Sequence, residues 1–431
     1  MKKYKLGELM DVTRGQSLSG EYYSKSGNLV RLTLGNFDYH NNCFKDDKSK
    51  DNLYFTGSVK KEFILKKDDI ITPLTEQAIG LLGSTAKIPC SGKYIQSQDV
   101  ALIKCNKKLN PDFAFYLIPS KIVRNQLSAA AQQTKIRHTS PDKIKDCSVW
   151  VPEYSEQEKI GKLLSRIDNK IAINRQINRN LEELAKQIYD YWFVQFDFPN
   201  KEGKPYKSSG GKMVWNDVLK REIPDGWEVK SVNDIATSYR GVGYSAKDEK
   251  SFKDKNIVLI LRGNNISNGH IVYDDNTVYV DKSFVSSEQE IKKYDVIITM
   301  SSGSKDHVGK SAMFLFDSPH SYGAFCNKLT PKKNYQFFLA NYLHSEYFIK
   351  CIRQFASGTG INNLTNEHFS KTIFSFPPNK IISDFNMKVE KIYQQLGIFE
   401  QENMKLISLR DSLLPLLMNG QVTLNSCLSH D

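Results

Sequence analysis

The sequence predicts an α+β protein built by internal duplication: two strand-rich domains, each followed by a long helix, the helices paired as an antiparallel coiled coil with pseudo-twofold symmetry. Three observations predict this. The chain has 431 residues, too many for one ordinary core and enough for roughly two to four domains. Its second half repeats its first: Ile136 and Ile361, Pro152 and Pro377, Ile167 and Ile392, and Leu181 and Leu406 are each 225 residues apart. The late part of each half carries an apolar stripe with a period near 3.5, the mark of a coiled-coil seam.

The early part of each half repeats through short apolar segments. "YKLGELMDV" matches "WEVKSVNDI", placing Leu6, Leu9, Asp11 and Val12 on Val229, Val232, Asp234 and Ile235. "NLVRLTLGN" matches "NIVLILRGN", "LKKDDIIT" matches "IKKYDVII", and Gly83 falls on Gly309. The stretch "DVIITMSSGSKDHVGKSAMF" has a strand-like run, Val296 to Met300, feeding a loop that ends in Gly309, Lys310 and Ser311. A phosphate-binding P-loop would need its first glycine where Ser304 stands, and Gly303 is one place too early. The first-half counterpart, "TPLTEQAIGLLGST", has no lysine after its glycine. A loop between two strands present in both copies is the simpler reading, with nucleotide binding as the minor alternative.

From Ser155 the apolar residues recur at Ile160, Leu163/Leu164, Ile167, Ile171, Ile177, Leu181, Leu184, Ile188 and Tyr191/Trp192. Ser155 and Glu158 have capping-box spacing just after Pro152, which sets the expected helix start. The second stripe is Phe385, Val389, Ile392, Leu396, Phe399, Leu406, Leu409, Leu413 and Leu416/Leu417. Gly420 is its expected stop, Pro415 should kink or end the last turn, and Gly397 is a weak spot for packing to overcome. Asn178 and Asn403 are equivalent positions on or beside the seam; they either fix register there or face solvent. About 36 helical residues make a rod of about 54 Å, which would part domains at its ends by about 10 to 15 base pairs of duplex at roughly 3.4 Å each. The expected plan is a first domain over 1–152, a helix over 153–196, a linker over 197–226, a second domain over 227–377, a second helix over 378–420 and a tail over 421–431.

A formal charge of +12 and a pI near 9.1 favour a polyanionic partner, nucleic acid or an anionic membrane face. No run approaches the roughly 18 to 20 apolar residues of a membrane span, and no signal peptide is visible at the start. Seven cysteines stand singly, without a C-x-x-C pair, and the eight histidines show no H-x-x-x-H pair, so neither a zinc site nor a disulfide framework is indicated. The expectation is a soluble, reduced, cytoplasmic protein without metal or cofactor. Catalytic motifs fail one by one. The only Pro-Pro lies in "FPPNK", in the wrong order for an amino-methyltransferase, and "RGVGY" lacks a third glycine. Asp306 and His307 have no nucleophile setting. Asp68 and Asp69 suggest a nuclease carboxylate pair, but their counterparts are Tyr294 and Asp295.

At this point the chain resembles a known family, the specificity subunit of Type I restriction–modification systems. "VPEYSEQEKIGKLLSRIDNKIAINRQINRNLEELAKQIYDYWF" is similar to its central conserved helix, and "GWEVKSVNDIA" to the start of a second target-recognition domain. "QTKIRHTSPDKIKDCSVWVP" and "SGTGINNLTNEHFSKTIFSFPP" resemble the ends of the two recognition domains. The second helix start, "FPPNKIISDF", lacks the pair Glu156-Gln157. The resemblance implies a non-catalytic subunit that binds a bipartite sequence in double-stranded DNA, one half-site per recognition domain, with the helices setting the gap. It implies partners too: two methyltransferase subunits that modify adenine N6 with S-adenosylmethionine, and ATP-driven restriction subunits. A stand-alone nucleic-acid binder is the alternative.

Loop residues with basic, amide or hydroxyl groups are the candidate DNA contacts, because they can meet base edges and phosphates. In the first domain these are Arg14, Gln16, Arg31, Asn36, Gln77, Lys135, Arg137 and His138. In the second they are Arg240, Tyr244, Arg262, Asn264, Asn265, Ser302, Lys305, Lys310, Asn362 and Asn363.

Overall fold

A computed structural model describes residues 1–39, 41–47, 49–76, 80–130, 137–267, 269–273, 277–304, 306–355 and 362–424. It divides into two compact units, one formed by Met1–Ile173 with the chain from Asn403 onward, the other by Asn174–Glu402.

In the first unit an antiparallel four-stranded sheet runs in the order Ala86–Lys87, Ile70–Pro73, Val100–Cys105, Met10–Arg14. A second sheet orders Tyr94–Ile95, Val30–Arg31, Tyr54–Phe55 and Tyr23–Ser24, its first pair parallel. Lys2–Lys5 pairs with Ser148–Val151, tying the chain start to the strand just ahead of the long helix. The helix Pro111–Leu117 is capped by Asn110, whose side chain accepts the N–H groups of Asp112 and Phe113. It buries Phe113, Phe115 and Leu117 in a core that also holds Leu6, Ile103, Ile160 and Leu164.

The second unit repeats this topology. Its four-stranded sheet is Ser311–Met313, Val296–Thr299, Cys326–Pro331, Ala236–Arg240, antiparallel throughout. Ile257–Leu261 pairs antiparallel with Val278–Asp281 and parallel with Ser321–Tyr322, while Glu228–Ser231 pairs with Ile373–Phe376. The sequence repeat is thus a structural one. Its early register, however, needs correction by three residues. Glu8, not Asp11, plays the part of Asp234: Glu8 accepts the backbone N–H of Lys5 at 2.7 Å, as Asp234 does from Ser231. The strand-leading carboxylates Asp69 and Asp295 do keep a common role, each accepting the N–H three residues back at 2.8 Å. The residues before them, Asp68 and Tyr294, sit in the left-handed region at φ 66° and 71°. The pair Asp68-Asp69 is therefore a turn.

The long helices span Tyr154–Tyr189 and Asn379–Met418. They lie against each other antiparallel. In the first unit Arg410 Nη1 donates to Asp168 Oδ1 at 2.9 Å, and the N–H of Leu424 donates to Glu156 at 2.7 Å. In the second, Asn174 Nδ2 donates to Glu402 at 2.7 Å, and Phe193 meets Phe385 with ring centres 4.8 Å apart. The apolar stripes are buried as expected at Ile160, Leu164, Ile167, Ile171, Phe385, Val389 and Leu396. Two positions differ: Leu184 and Leu409 are 45% and 47% exposed, and their neighbours Ala185 and Arg410 turn inward instead. The fully buried polar seam residue is Asn174, one turn ahead of Asn178, while Asn403 is buried as its pattern allowed. Gly397 has its reason in packing, since a β-carbon there would stand 3.1 Å from that of Leu315. The second helix continues through Pro415 to Met418 and stops at Gly420, whose φ of 67° favours glycine. No helix among the described residues is long and apolar enough to cross a membrane.

The first long helix begins at Tyr154, so Ser155 lies inside its first turn rather than capping it. What fixes the helix start is Gln157, 1% exposed. Its Oε1 accepts the N–H of Asn110 at 2.9 Å, and its Nε2 donates to the carbonyls of Lys108 and Pro152. Glu156 is taken up by Leu424, as above. The equivalent of Gln157 in the second unit is Ile382, equally buried in an apolar core, which accounts for the missing Glu-Gln pair. Gln157→Leu leaves an N–H and two carbonyls, all part-buried, without their partner. At about 1–3 kcal/mol for a buried unmet group, less where water reaches it, this should cost about 3 kcal/mol. Thermal unfolding checks this: the melting temperature should drop clearly, and an unchanged value would remove Gln157 as the clamp.

Candidate nucleic-acid interface

At one end of each four-stranded sheet the same three strand ends meet. Arg14 lies opposite Ala101, and Pro73 opposite Val100; in the second unit Arg240 lies opposite Asn327, and Thr299 opposite Cys326. The edge strand leaves this end through Arg14-Gly15 in one unit and Arg240-Gly241 in the other. Glycine is required there, since a β-carbon at Gly15 would stand 2.3 Å from the carbonyl oxygens of Gln96 and Ser97, and one at Gly241 2.2 Å from that of Gly323. A short two-stranded ribbon extends from the same end, Thr75–Glu76 with Arg137–His138 and Ser301–Ser302 with Asn362–Asn363. Arg14, Gln16, Arg137 and His138 are thereby brought together in the first unit. Arg240, Ser302, Asn362 and Asn363 are brought together in the second, beside the turn that carries Lys310.

In the first unit Arg14 is exposed, with its Nε donating to the carbonyl of Gln98 at 2.8 Å. Gln16 bridges the Ser58 carbonyl and the Lys60 N–H. Arg137 faces Glu76 at 3.6 Å, an ion pair rather than a hydrogen bond, and Glu76 itself accepts the N–H groups of Gly80 and Leu82. The Nδ1 of His138 lies 3.3 Å from the Thr75 hydroxyl. Two candidates turn inward. Arg31 is buried, stacked 3.9 Å over the ring of Tyr23 and donating to Asn52. Asn36 is buried too, bonded to the Thr33 N–H and the Lys45 carbonyl.

In the second unit Asn265 repeats the role of Asn36, accepting from the Arg262 N–H and donating to the Val272 carbonyl. Asn265, and not Asn264, is therefore its structural counterpart, and Asn264 is the exposed one. Arg262 is half-buried, and its charge opposes the burial that raises the hydroxyl pKa of Tyr244. Arg240 is exposed, and its guanidinium meets no partner among the described residues. Lys310 precedes Ser311–Met313, which pairs antiparallel with Val296–Thr299. Gly309 turns the chain at φ 80°, as Gly83 does at 78°. The Gly-Lys-Ser stretch thus leads into a strand, where a P-loop leads into the N-terminus of a helix. Gln77, Lys135 and Lys305 lie outside the described residues, and Asn362 is described by its strand pairing alone. Among the described residues no group of three or more His, Cys, Asp or Glu could hold a metal ion.

The hairpin that follows Arg262 is latched to the long helices of its own unit. His270 Nε2 lies 3.3 Å from Glu182 Oε1. Its pKa is raised, first by the hydrogen bond to Glu182, with burial opposing and the charge of Glu400 assisting. Burial raises the carboxyl of Glu400. Behind them His344, bonded to the Ser311 carbonyl at 3.1 Å, is held neutral by burial.

The sequence profile of the Type I restriction modification DNA specificity domain matches residues 1–183 and again 224–407. The chain belongs to the Type I restriction–modification specificity-subunit family. The specificity subunit of the EcoKI enzyme of Escherichia coli K12 is 32% identical over 210 residues, covering 47% of this chain and 44% of its own length. That of the HindI enzyme of Haemophilus influenzae is 25% identical, covering 98% of this chain and 99% of its own. The crystal structure of the S subunit of a Type I system from M. genitalium shares the fold, with a TM-score of 0.56 at 16% identity over 97% of this chain and 96% of that one.

For a specificity subunit the informative residues are not all polar loop positions. Gln157, Asp168 and Arg410 hold helices and sheets in place, and only the internal Glu-Gln mismatch between the two helix starts marked one of them in the sequence. Nothing in the heptad pattern singled out Arg410, one place beyond an apolar seam position.

The latch makes a signed prediction. A raised folded pKa for His270 means its contribution is fully present below about pH 6.5 and is lost as pH rises through the folded value. Glu400, also raised, works in the same sense at lower pH. His344, lowered, works against it, so the comparison must isolate His270. The melting temperature of wild type should exceed that of His270→Asn by more at pH 6 than at pH 8. An equal gap at both values would remove the charged latch.

Proposed function

We propose that the chain reads a two-part sequence in double-stranded DNA, one half with each strand-rich domain, and acts without catalysis of its own. The observation that carries this reading is the repeated sheet end. The same Arg-Gly exit, the same ribbon and the same close backbone approach recur in both units, with polar side chains that differ between them. Two copies of one reading frame with different side chains suit two different half-sites. Arg and Lys at such ends suit guanine edges and phosphates, Asn and Gln suit adenine edges, and the formal charge of +12 suits the duplex. The helix Tyr154–Tyr189 has 36 residues, or about 54 Å at 1.5 Å per residue. That length supports a fixed gap between half-sites.

The partners in this reading are two methyltransferase subunits, which methylate adenine N6, and the restriction subunits, in the cytoplasm. What supports a docked partner is the outward apolar surface of the helices. In the second unit Leu184, Tyr191 and Met387 line an open groove of about 880 Å³ with Trp192 and Gln195. Exposed apolar side chains on helices at this density mark interaction sites.

Sequencing the methylome of cells that express this chain with its cognate methyltransferase subunit should reveal one new two-part methylated motif with a constant gap. Absence of any new motif, with both subunits present and soluble, would overturn the reading, and duplex binding without the methyltransferase subunit would favour a stand-alone binder. Lys310→Ala should weaken duplex binding about equally for all sequences and lower the salt slope by about one. Changed sequence preference would instead place Lys310 on a base.

A further inference from the structure

Phe325 is 69% exposed, although its backbone is hydrogen-bonded to the neighbouring strand. Its carbonyl accepts the N–H groups of Met300 and Ser301 at 2.8 and 3.2 Å, and the turn is closed by Cys326 N–H donating to Gly323 at 2.8 Å. Burying such a side chain is favourable, and this fold leaves it in the open. The turn sits at the sheet end already described. On one side runs Arg240-Gly241, whose Gly241 N–H donates to the Cys326 carbonyl; on the other begins the ribbon Ser301–Ser302 with Asn362–Asn363. In the first domain the equivalent residue is Asp99. Its carbonyl accepts the Leu74 N–H at 2.8 Å, the same backbone role as that of Phe325, while its carboxylate takes the Thr75 hydroxyl at 3.4 Å. The backbone role is shared and the side chain is not, as a base-reading position requires.

We propose that Phe325 is a specificity-determining residue of the second domain, making apolar contact with a base of its half-site. This rests on the DNA-reading function proposed above. The contact is with either a thymine methyl in the major groove or the face of a base at an opened step; both chemistries are apolar and both are used by DNA-binding side chains. Arg240 and Lys310 flank it as cations suited to phosphate, which would hold the duplex against the ring.

The test uses the full chain assembled with its methyltransferase subunits and a randomised duplex library. Wild type should select a two-part motif. Phe325→Ala should lower discrimination about 10-fold at one position of one half-site, through weaker binding of the preferred base there, with the preference at the other half-site unchanged, and Phe325→Leu should keep most of it. Replacing thymine by uracil at that position separates the contacts. A wild-type loss that Phe325→Ala does not share assigns the methyl. Indifference to uracil, with wild-type-dependent fluorescence of 2-aminopurine at the step, assigns the base face. Unchanged preference at every position, in a Phe325→Ala complex that assembles and melts like wild type, overturns the proposal; Phe325→Asp, carrying the first domain's residue, serves where the alanine variant does not assemble. A wild-type complex that selects no motif overturns the function itself, and this proposal with it, a result visible before any substitution is made.

Discussion

Each long helix carries an apolar stripe that it cannot bury alone, and the antiparallel pairing of the two stripes is the constraint on which the rest of the structure depends. Single large side chains buried along it, such as Leu164, Phe385 and Val389, are each worth roughly 1.5–3 kcal/mol. Isolated helices of this length would gain none of that in water. The pairing also explains how the units are composed. Each includes a stretch of both helices, 154–173 with 403–418 in one and 174–189 with 379–402 in the other, together with one complete strand-rich domain. The chain between the helices is long enough to form a whole domain, and the second helix returns from it to lie against the first.

The duplication copies backbone more faithfully than chemistry. In the first unit the helix pair meets its domain through a polar network: Tyr116 donates to Asp168 at 2.7 Å, and Asp168 is held by Arg410. The equivalent positions in the second unit are Tyr342, Tyr393 and Ala185. There Tyr393 stacks on Phe337 with ring centres 4.4 Å apart and accepts from Asn341 at 2.7 Å. A charged network in one copy and an aromatic core in the other fill the same place. Burying an ion pair rarely outperforms apolar packing, so both solutions are accessible, and the choice between them leaves the fold unaltered.

That difference explains what the sequence could and could not disclose. Period and repetition survive substitution, so the two helices, their antiparallel pairing and the strand-rich halves were legible. So was the common loop at Gly83 and Gly309, because a left-handed turn favours glycine in both copies. Register near the chain start was not. There the match rests on a few apolar letters, while the residue that decides it, Glu8 against Asp234, changes identity and keeps only its hydrogen bond. The seam erred at Leu184 and Leu409 for a related reason: where apolar residues are adjacent to small or long ones, letters alone do not show whether Ala185 or Arg410 will face inward. Among the candidate DNA contacts the difficulty is sharper. Arg31, Asn36 and Asn265 carry groups suited to bases and phosphates, yet those groups are spent on local backbone. Turn-capping and base-reading use the same side chains, and only the fold distinguishes them.

The fold makes that distinction by dividing labour between main chain and side chain. At the sheet ends, positions whose backbone is pinned from several sides fall into two kinds. At Gly15 and Gly241 the crowding is at the β-carbon itself, so no side chain is admitted and the residue is the same in both copies. At Asp99 and Phe325 the carbonyl is engaged in the same way, the side chain meets the Thr75 hydroxyl in one copy and stands exposed in the other, and the residues differ as widely as a carboxylate and a phenyl ring. A scaffold arranged in this way can change what it presents without changing how it folds. In the proposed DNA-reading function, the positions that meet the duplex are those where the backbone is held and the side chain is left free.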